Sequence, residues 1–161
     1  MRSLSPIEAA ALVSLGGCVL AVCVPTFVRN VHASYVSEAT RGVGELAARA
    51  AMKLEQAQSI EALPEPAPLT PSQVPRGTRV TDPPGTWSHP TWRALDFSFE
   101  RAHSYSFAFE AERGEASAKF SAVAHGDLDG DSVQSTLSID GEFVPHSAVK
   151  LSPLDVQNEI E

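Results

Sequence analysis

The sequence predicts an α+β fold: a long N-terminal helix, about residues 5–59, packed on a small antiparallel sheet of three to four strands. Two observations lead to this prediction. Apolar residues recur every three or four positions from Val28 to Leu54, which is the period of one helix face. After residue 104 the period becomes two, as in strands with one buried face. Strands do not alternate with helices along the sequence, which excludes a doubly wound nucleotide-binding fold.

The two halves of the predicted helix differ in polarity. Residues 9–28 contain no charged side chain, and as a helix they would be about 30 Å long, the thickness of a bilayer core. We therefore expect residues 4–28 to form a hydrophobic membrane or assembly helix. Residues 29–60 are amphipathic and are expected to belong to the globular domain. Pro25 has no backbone N–H to donate, so we expect a kink or a melted turn there.

The remainder of the chain divides into a connector and a sheet region. Seven prolines between residues 61 and 85 predict an extended connector without regular structure. Residues 86–161 are expected to hold the antiparallel sheet, with Trp87 and Trp92 as core aromatics. Alternating residues mark three strands, and Asp140-Gly141 indicates a hairpin turn before a short fourth strand. The predicted strands lie near Tyr105–Ala111, Phe120–Ala124, Val133–Ile139 and Phe143–Val144.

Charge and cysteine content exclude some classes of function. The formal net charge is -8, and residues 96–161 alone hold four Lys/Arg against thirteen Asp/Glu. Nucleic-acid binding depends on neutralising phosphates, so no nucleic-acid partner is expected. The only cysteines are Cys18 and Cys23, which point in different directions on a helix and cannot pair. The cysteines therefore do not indicate a redox compartment.

The first 27 residues carry a family resemblance. Leu4-Ser5-Pro6-Ile7-Glu8 resembles the processed start of a type IV pilin, in which a short positive leader precedes an apolar residue and a glutamate follows closely. Gly17 and Pro25 lie nine and seventeen residues after Glu8, where that family has glycine and proline, and Phe27 follows at the usual place. Ser3 stands where the family usually has glycine, and Leu4 where it usually has phenylalanine.

The resemblance implies both processing and assembly. Prepilin peptidase would remove the leader, residues 1–3, between Ser3 and Leu4, and the new N-terminus would be free or methylated. Glu8, Gly17 and Pro25 would be assembly positions, with Glu8 neutralising the terminal amine of the next subunit. The implied function is a structural subunit of a pilus (fimbrium), a homopolymeric filament assembled head-to-tail through the hydrophobic helix. Its partners would be copies of itself, prepilin peptidase and the pilus assembly machinery.

The implied location is the inner membrane, as a single-pass protein with a transmembrane helix, followed by an extracellular filament at the cell surface. The Trp-x-x-Leu segment and the Gly-Asp-Leu-Asp-Gly-Asp loop look most like pilins of myxobacteria and their relatives. A minor pilin or a secretion-system pseudopilin remains an alternative. From another class, so does a single-pass, membrane-anchored periplasmic binding domain.

Two features of the N-terminal segment have further interpretations. Leu15-Gly16-Gly17-Cys18 has the look of a lipoprotein cleavage box, although Glu8 would then lie inside the signal. Ser5-Pro6-Ile7-Glu8 also fits a capping box, with Ser5 at the N-cap and Pro6 at the first helical position. Both roles of Glu8, starting the helix and pairing in an assembly, are compatible.

The sequence offers one weak metal candidate and no catalytic centre. Asp127, Asp129 and Asp131 alternate as calcium ligands do, but Ser132 and Ser138 stand where such a loop wants glycine and a bidentate acid. We therefore predict a solvated turn with no bound metal, and weak Ca²⁺ binding as the alternative. The histidines show no ligand spacing, and no nucleophile elbow or phosphate loop is present. No catalytic residue, no enzymatic activity and no cofactor are expected.

Overall fold

The computed structural model describes the backbone of residues 6–158, and the chain divides into two compact units, Met1–Tyr35 and Val36–Glu161. Before residue 36 the side chains that it describes are those of Ile7, Ser14, Ala21 and Cys23. The elements, in chain order, are helix α1 (Pro6–Ala57), a 3-10 turn (Ile60–Ala62), strand β1 (Ala67–Thr70), helix α2 (Pro90–Ala94), and strands β2 (Tyr105–Arg113), β3 (Ala118–Gly126), β4 (Ser135–Phe143), β5 (Lys150–Leu151) and β6 (Asp155–Gln157).

The six strands form one antiparallel sheet in the order β1-β2-β3-β4-β5, and β6 also pairs with β4. Strands β2, β3 and β4 pair over their whole lengths, from Tyr105↔Gly126 to Ala118↔Phe143. Alternate residues of this meander are aromatic or aliphatic, so one face of the sheet is apolar and receives the helix.

The core lies between that face and residues 36–57 of α1. The apolar stripe of the helix is fully buried: Ala39, Val43, Leu46, Ala47, Ala50 and Leu54. Gly42 permits close approach, because a Cβ there would lie 2.5 Å from Cε1 of Phe107. Helix α2 adds Trp92, which is completely buried, and Trp87 contacts it edge to face with ring centroids 5.5 Å apart. The expectation that these tryptophans are core aromatics is confirmed for Trp92, whereas Trp87 is half-buried.

The predicted fold class is wrong. The sheet has six strands, not three to four, and it dominates the unit that contains it. The helix that packs on it in this unit is the 22-residue stretch 36–57 of α1, whereas the prediction had a long helix with an apolar first half packed on a small sheet. Within the part of the chain that the structure describes, no helix is long and apolar enough to cross a membrane.

The strands that the sequence did not predict, β1, β5 and β6, have a physical explanation. β1 lies inside the proline-rich connector, and Pro68 is tolerated there because an edge strand need not donate every N–H to a neighbour. β5 and β6 contain two and three residues, which is too short for an alternating pattern to be recognised. Their pairing is fixed by β4 and not by their own sequences.

The predicted hairpin at Asp140-Gly141 is also wrong, because both residues lie inside β4. Gly141 faces Phe120 across the sheet, and a Cβ on Gly141 would overlap the Phe120 ring. The glycine therefore makes room for an aromatic ring on the neighbouring strand and does not turn the chain. Gly126 has the same relationship to the ring of Tyr105.

Candidate functional site

The positions singled out by the pilin resemblance are only partly described. Ser3 and Leu4 lie outside the described residues. Glu8, Gly17 and Pro25 lie in α1, whose backbone is helical through all three, and their side chains are outside the description. The melted turn expected at Pro25 is absent, because α1 is helical without interruption from Pro6 to Ala57, and the kink stays a prediction.

The acidic loop between β3 and β4 is fully described. Asp127, Asp129 and Asp131 each place one carboxylate oxygen within 4.8 Å of the other two, so the sequence-predicted candidates do come together. Asp127 is buried, and the other two are exposed. The loop begins where β3 ends at Gly126 and leads into β4 at Ser135.

Backbone amides of the loop already occupy these carboxylates. Asp127 Oδ1 accepts from Gly130 N at 2.8 Å, and its Oδ2 accepts from Ser132 N at 3.2 Å. Asp129 accepts from Asp131 N, and Asp131 accepts from Val133 N at 2.6 Å. Such side-chain-to-backbone bonds are typical of Asp-rich turns, which is the structure that the sequence favours.

The connector contributes a cation to this loop. Arg76 Nε lies 3.6 Å from Asp127 Oδ2, and the carboxylate of Asp127 is completely buried. Gly77 N also donates to the Asp127 carbonyl at 2.8 Å. Carboxylate oxygens at this spacing could contact Ca²⁺, which prefers six to eight oxygen ligands. Since Arg76 already balances the buried charge, the donor set fits a calcium ion only in part, and the absence of a metal stays a prediction.

A second polar cluster, which sequence reasoning missed, lies in the aromatic core. His103 is fully buried, and its Nε2 lies 2.8 Å from Asp82 Oδ2. The same oxygen accepts from Trp87 Nε1 at 2.7 Å. His103 Nδ1 lies 2.8 Å from the carbonyl oxygen of Tyr105. These residues come from the connector, the segment after it and the start of β2, and no sequence spacing relates them.

Two other side chains have pKa values shifted from the ordinary value of their residue type. Burial lowers the pKa of His125, and the nearby Glu110 carboxylate opposes that shift. His125 Nδ1 lies 2.9 Å from Thr136 Oγ1 on the neighbouring strand. The Asp127 carboxylate, two residues further along the chain, instead accepts from a backbone amide of its own loop. Burial also raises the pKa of Tyr105, with the Ser135 side chain opposing and the Glu38 carboxylate adding to the shift. Among the described residues, the Tyr105 hydroxyl is the buried side-chain oxygen or nitrogen without a hydrogen-bond partner.

An open groove of about 720 Å³ lies over the end of β2, the start of β3 and the end of β4. Its charged lining consists of Glu110, Glu112, Lys119, Asp140, Glu142 and Lys150. Lys119 Nζ lies 3.9 Å from Glu142 Oε1. The hydroxyl of Ser152 in this groove bonds to the backbone of Asp140 and Pro153. Among these lining residues no nucleophile lies beside a base. This does not test the prediction that the chain is not an enzyme.

The described residues thus contain an acidic turn balanced by Arg76, a buried His103–Asp82 pair and a charged groove on the open face of the sheet. Comparison of the chain with protein-family models, with characterised proteins and with solved structures finds no match.

Proposed function

We propose that this chain is a structural subunit of a type IV pilus-like filament and that it assembles through its N-terminal segment. The observation that carries the proposal is the register of Leu4, Glu8, Gly17 and Pro25, which follows the order and the spacing found in that family. A minor pilin or a pseudopilin would have the same register, and the proposal includes these variants of one assembly.

Helix α1 supports the proposal through the side chains it exposes. Ile7, Ser14 and Ala21 are exposed and follow one another at intervals of seven residues, so they share one helix face. Small residues on such a face permit close approach of a second helix. Further along the same helix, residues 36–57 form the core with the sheet. The same helix therefore exposes these three side chains near its start and contributes to the core of the folded unit further along.

The edges of the sheet support assembly by another route than strand pairing. β1 contains Pro68 and is bordered by Pro66 and Pro71, while β5 and β6 are separated by Pro153. Short edge strands interrupted by proline resist pairing with a second chain. Copies of this protein are therefore expected to associate through α1 and not edge to edge.

The proposal has consequences for partners and location. Prepilin peptidase would cleave between Ser3 and Leu4, the inner membrane would hold the chain before assembly, and the pilus machinery would add it to an extracellular filament. Heterologous contacts that do not close produce such open filaments. The acid-rich open face of the sheet would then face solvent and keep the fibre from adhering to itself.

The test combines electron microscopy of cell-surface shearings with intact-mass spectrometry of the fibre subunit. We expect a filament composed of this chain, with Leu4 as its first residue. A mass that retains Met1–Ser3, or a lipid on Cys18, would contradict the processing that we propose. Recovery of the chain only as a monomer would instead favour the anchored binding domain.

A matched pair of variants tests the role of Glu8. Glu8→Gln keeps a capping group but removes the negative charge, so the terminal amine of the next subunit would be buried without a counter-ion. Because an unpaired buried charge costs several kcal/mol, we expect at least about a tenfold fall in the ratio of sheared filament to membrane-bound subunit. Ser5→Ala weakens the capping box alone, by about 1 kcal/mol, and should leave this ratio unchanged. If Glu8→Gln makes normal filaments while Ser5→Ala disrupts the membrane form, capping is the whole role of Glu8.

A further inference from the structure

The His103–Asp82 pair has an unusual arrangement of acceptors. Both ring nitrogens of His103 face oxygens at 2.8 Å: the carbonyl of Tyr105 on one side and the carboxylate of Asp82 on the other. A neutral imidazole has one N–H, so it would direct one nitrogen lone pair at an oxygen. An imidazolium donates on both sides. The Asp82 oxygen can accept this bond together with the one from Trp87.

We propose that His103 is an imidazolium in the folded protein and that, with Asp82, it forms a proton-dependent clasp that holds the connector against the sheet. The side chains are 0% and 5% exposed, so the two charges have little contact with water and must balance each other. The proposal is independent of filament assembly.

The other charged groups around His103 do not replace Asp82. Glu38, on α1, accepts from Ser104 N at 2.8 Å and from Arg79 at 2.6 Å, so Arg79 balances its charge. The rings of Phe99 and Trp87 lie on His103 with centroids 5.1 and 6.2 Å away and bring no charge. The phenol of Tyr105, whose pKa is raised by burial, stays neutral. Asp82 is therefore the counter-ion.

The clasp lies where the connector is fastened to the domain. Val80 and His103 exchange two backbone hydrogen bonds of 2.9 Å, and Arg79 bonds to Glu38 and to the carbonyl of Ala102. If the ring loses its second proton, Asp82 becomes a buried carboxylate without a counter-ion beside it, which favours opening of residues 79–82. The closed form holds one proton more than the open form, so acid favours closing and alkali favours opening.

The first test is nitrogen-15 NMR of the histidine rings in the full chain at neutral pH. We expect both nitrogens of His103 to carry protons. His125 serves as the internal control: burial lowers its pKa, and it should give the pattern of a neutral ring in the same spectrum. A singly protonated His103 throughout the pH range in which the protein is folded would overturn the proposal.

The second test is limited trypsin digestion at the Arg79–Val80 bond between pH 7 and 9, with rates normalised to a peptide substrate. Cleavage should accelerate, by up to about tenfold per pH unit where one proton is released on opening. Asp82→Asn should abolish this acceleration, and His125→Gln should keep it. Should Asp82→Asn fail to fold, the wild-type digestion still decides: a normalised rate that does not change with pH would refute the clasp.

Discussion

Arg76 Nε lies 3.6 Å from the buried carboxylate of Asp127, and this contact joins the connector to the acidic loop. The Gly77 amide, which donates to the Asp127 carbonyl, fixes the same junction through the backbone. The loop therefore obtains from its own chain the positive charge that a cation would otherwise supply.

We accordingly expect calcium to stabilise the protein very little. With a Kd in the millimolar range, 1 mM Ca²⁺ would add about 0.4 kcal/mol to the free energy of unfolding and raise Tm by about 2 °C or less. Differential scanning calorimetry with and without calcium measures this shift. A rise of many degrees at sub-millimolar calcium, lost in Asp129→Ala, would show that the loop is a calcium site.

Replacing Ser132 by glycine should make the protein more stable. Its φ is 81°, in the left-handed region that favours glycine. We expect Ser132→Gly to raise the free energy of unfolding by about 1 kcal/mol, because it removes a steric cost of that order. Ser72→Gly is the control: Ser72 is also exposed, but its φ is not positive, so glycine there should be neutral or destabilising. Denaturant unfolding compares the two, and equal effects would contradict the argument.

Gly141 and Gly44 should respond to alanine with opposite signs. A Cβ on Gly141 would overlap the Phe120 ring, so Gly141→Ala should lower the free energy of unfolding by about 1–3 kcal/mol. Gly44 lies in α1 with no atom within 4 Å of the position of a Cβ, so Gly44→Ala should raise it by about 0.5–1 kcal/mol through helix propensity. Urea midpoints of the two variants test the pair, and a stable Gly141→Ala would mean that the Phe120 ring can move aside.

His125 should make the protein less stable in acid. Burial lowers the pKa of His125, so the folded state binds fewer protons than the unfolded state once the pH falls below about 6.5, the ordinary histidine value. Stability contributed by the neutral ring is therefore lost as the pH drops through that region. His125→Gln should flatten the decline of Tm on acidification. A pH profile of Tm identical to that of the wild type would show that His125 does not titrate with unfolding.

The sequence predicts the strands correctly where apolar and polar residues alternate over a long stretch. The predicted strands near Tyr105–Ala111 and Phe120–Ala124 fall inside β2 and β3, because alternation over several residues leaves one apolar face to bury. β1, β5 and β6 were missed because pairing with a longer neighbour defines them. Asp140-Gly141 was misread as a turn because glycine serves a turn and an aromatic contact equally well.

The candidate sites show the same division. The acidic loop is a run of adjacent residues, so its carboxylates were expected to meet, and they do. Arg76 and the His103–Asp82 pair were not foreseen, since the partners lie 51 and 21 residues apart and only the folded connector brings them together. Whether Glu8 serves an assembly depends on neighbouring chains, and a single sequence carries that information only as a family resemblance.

Strand β3 has a neighbour along its whole length on both sides, since all nine of its residues pair with β2 and with β4. Each of its backbone amides is therefore directed at one neighbour or the other and cannot meet solvent while either hairpin is closed. Deuterium should enter β3 last, and only when the sheet opens as a whole, so that its slowest amides report the global free energy of unfolding. The short edge strands β5 and β6 should exchange far earlier, which gives this sheet a measurable order of opening from edge to centre.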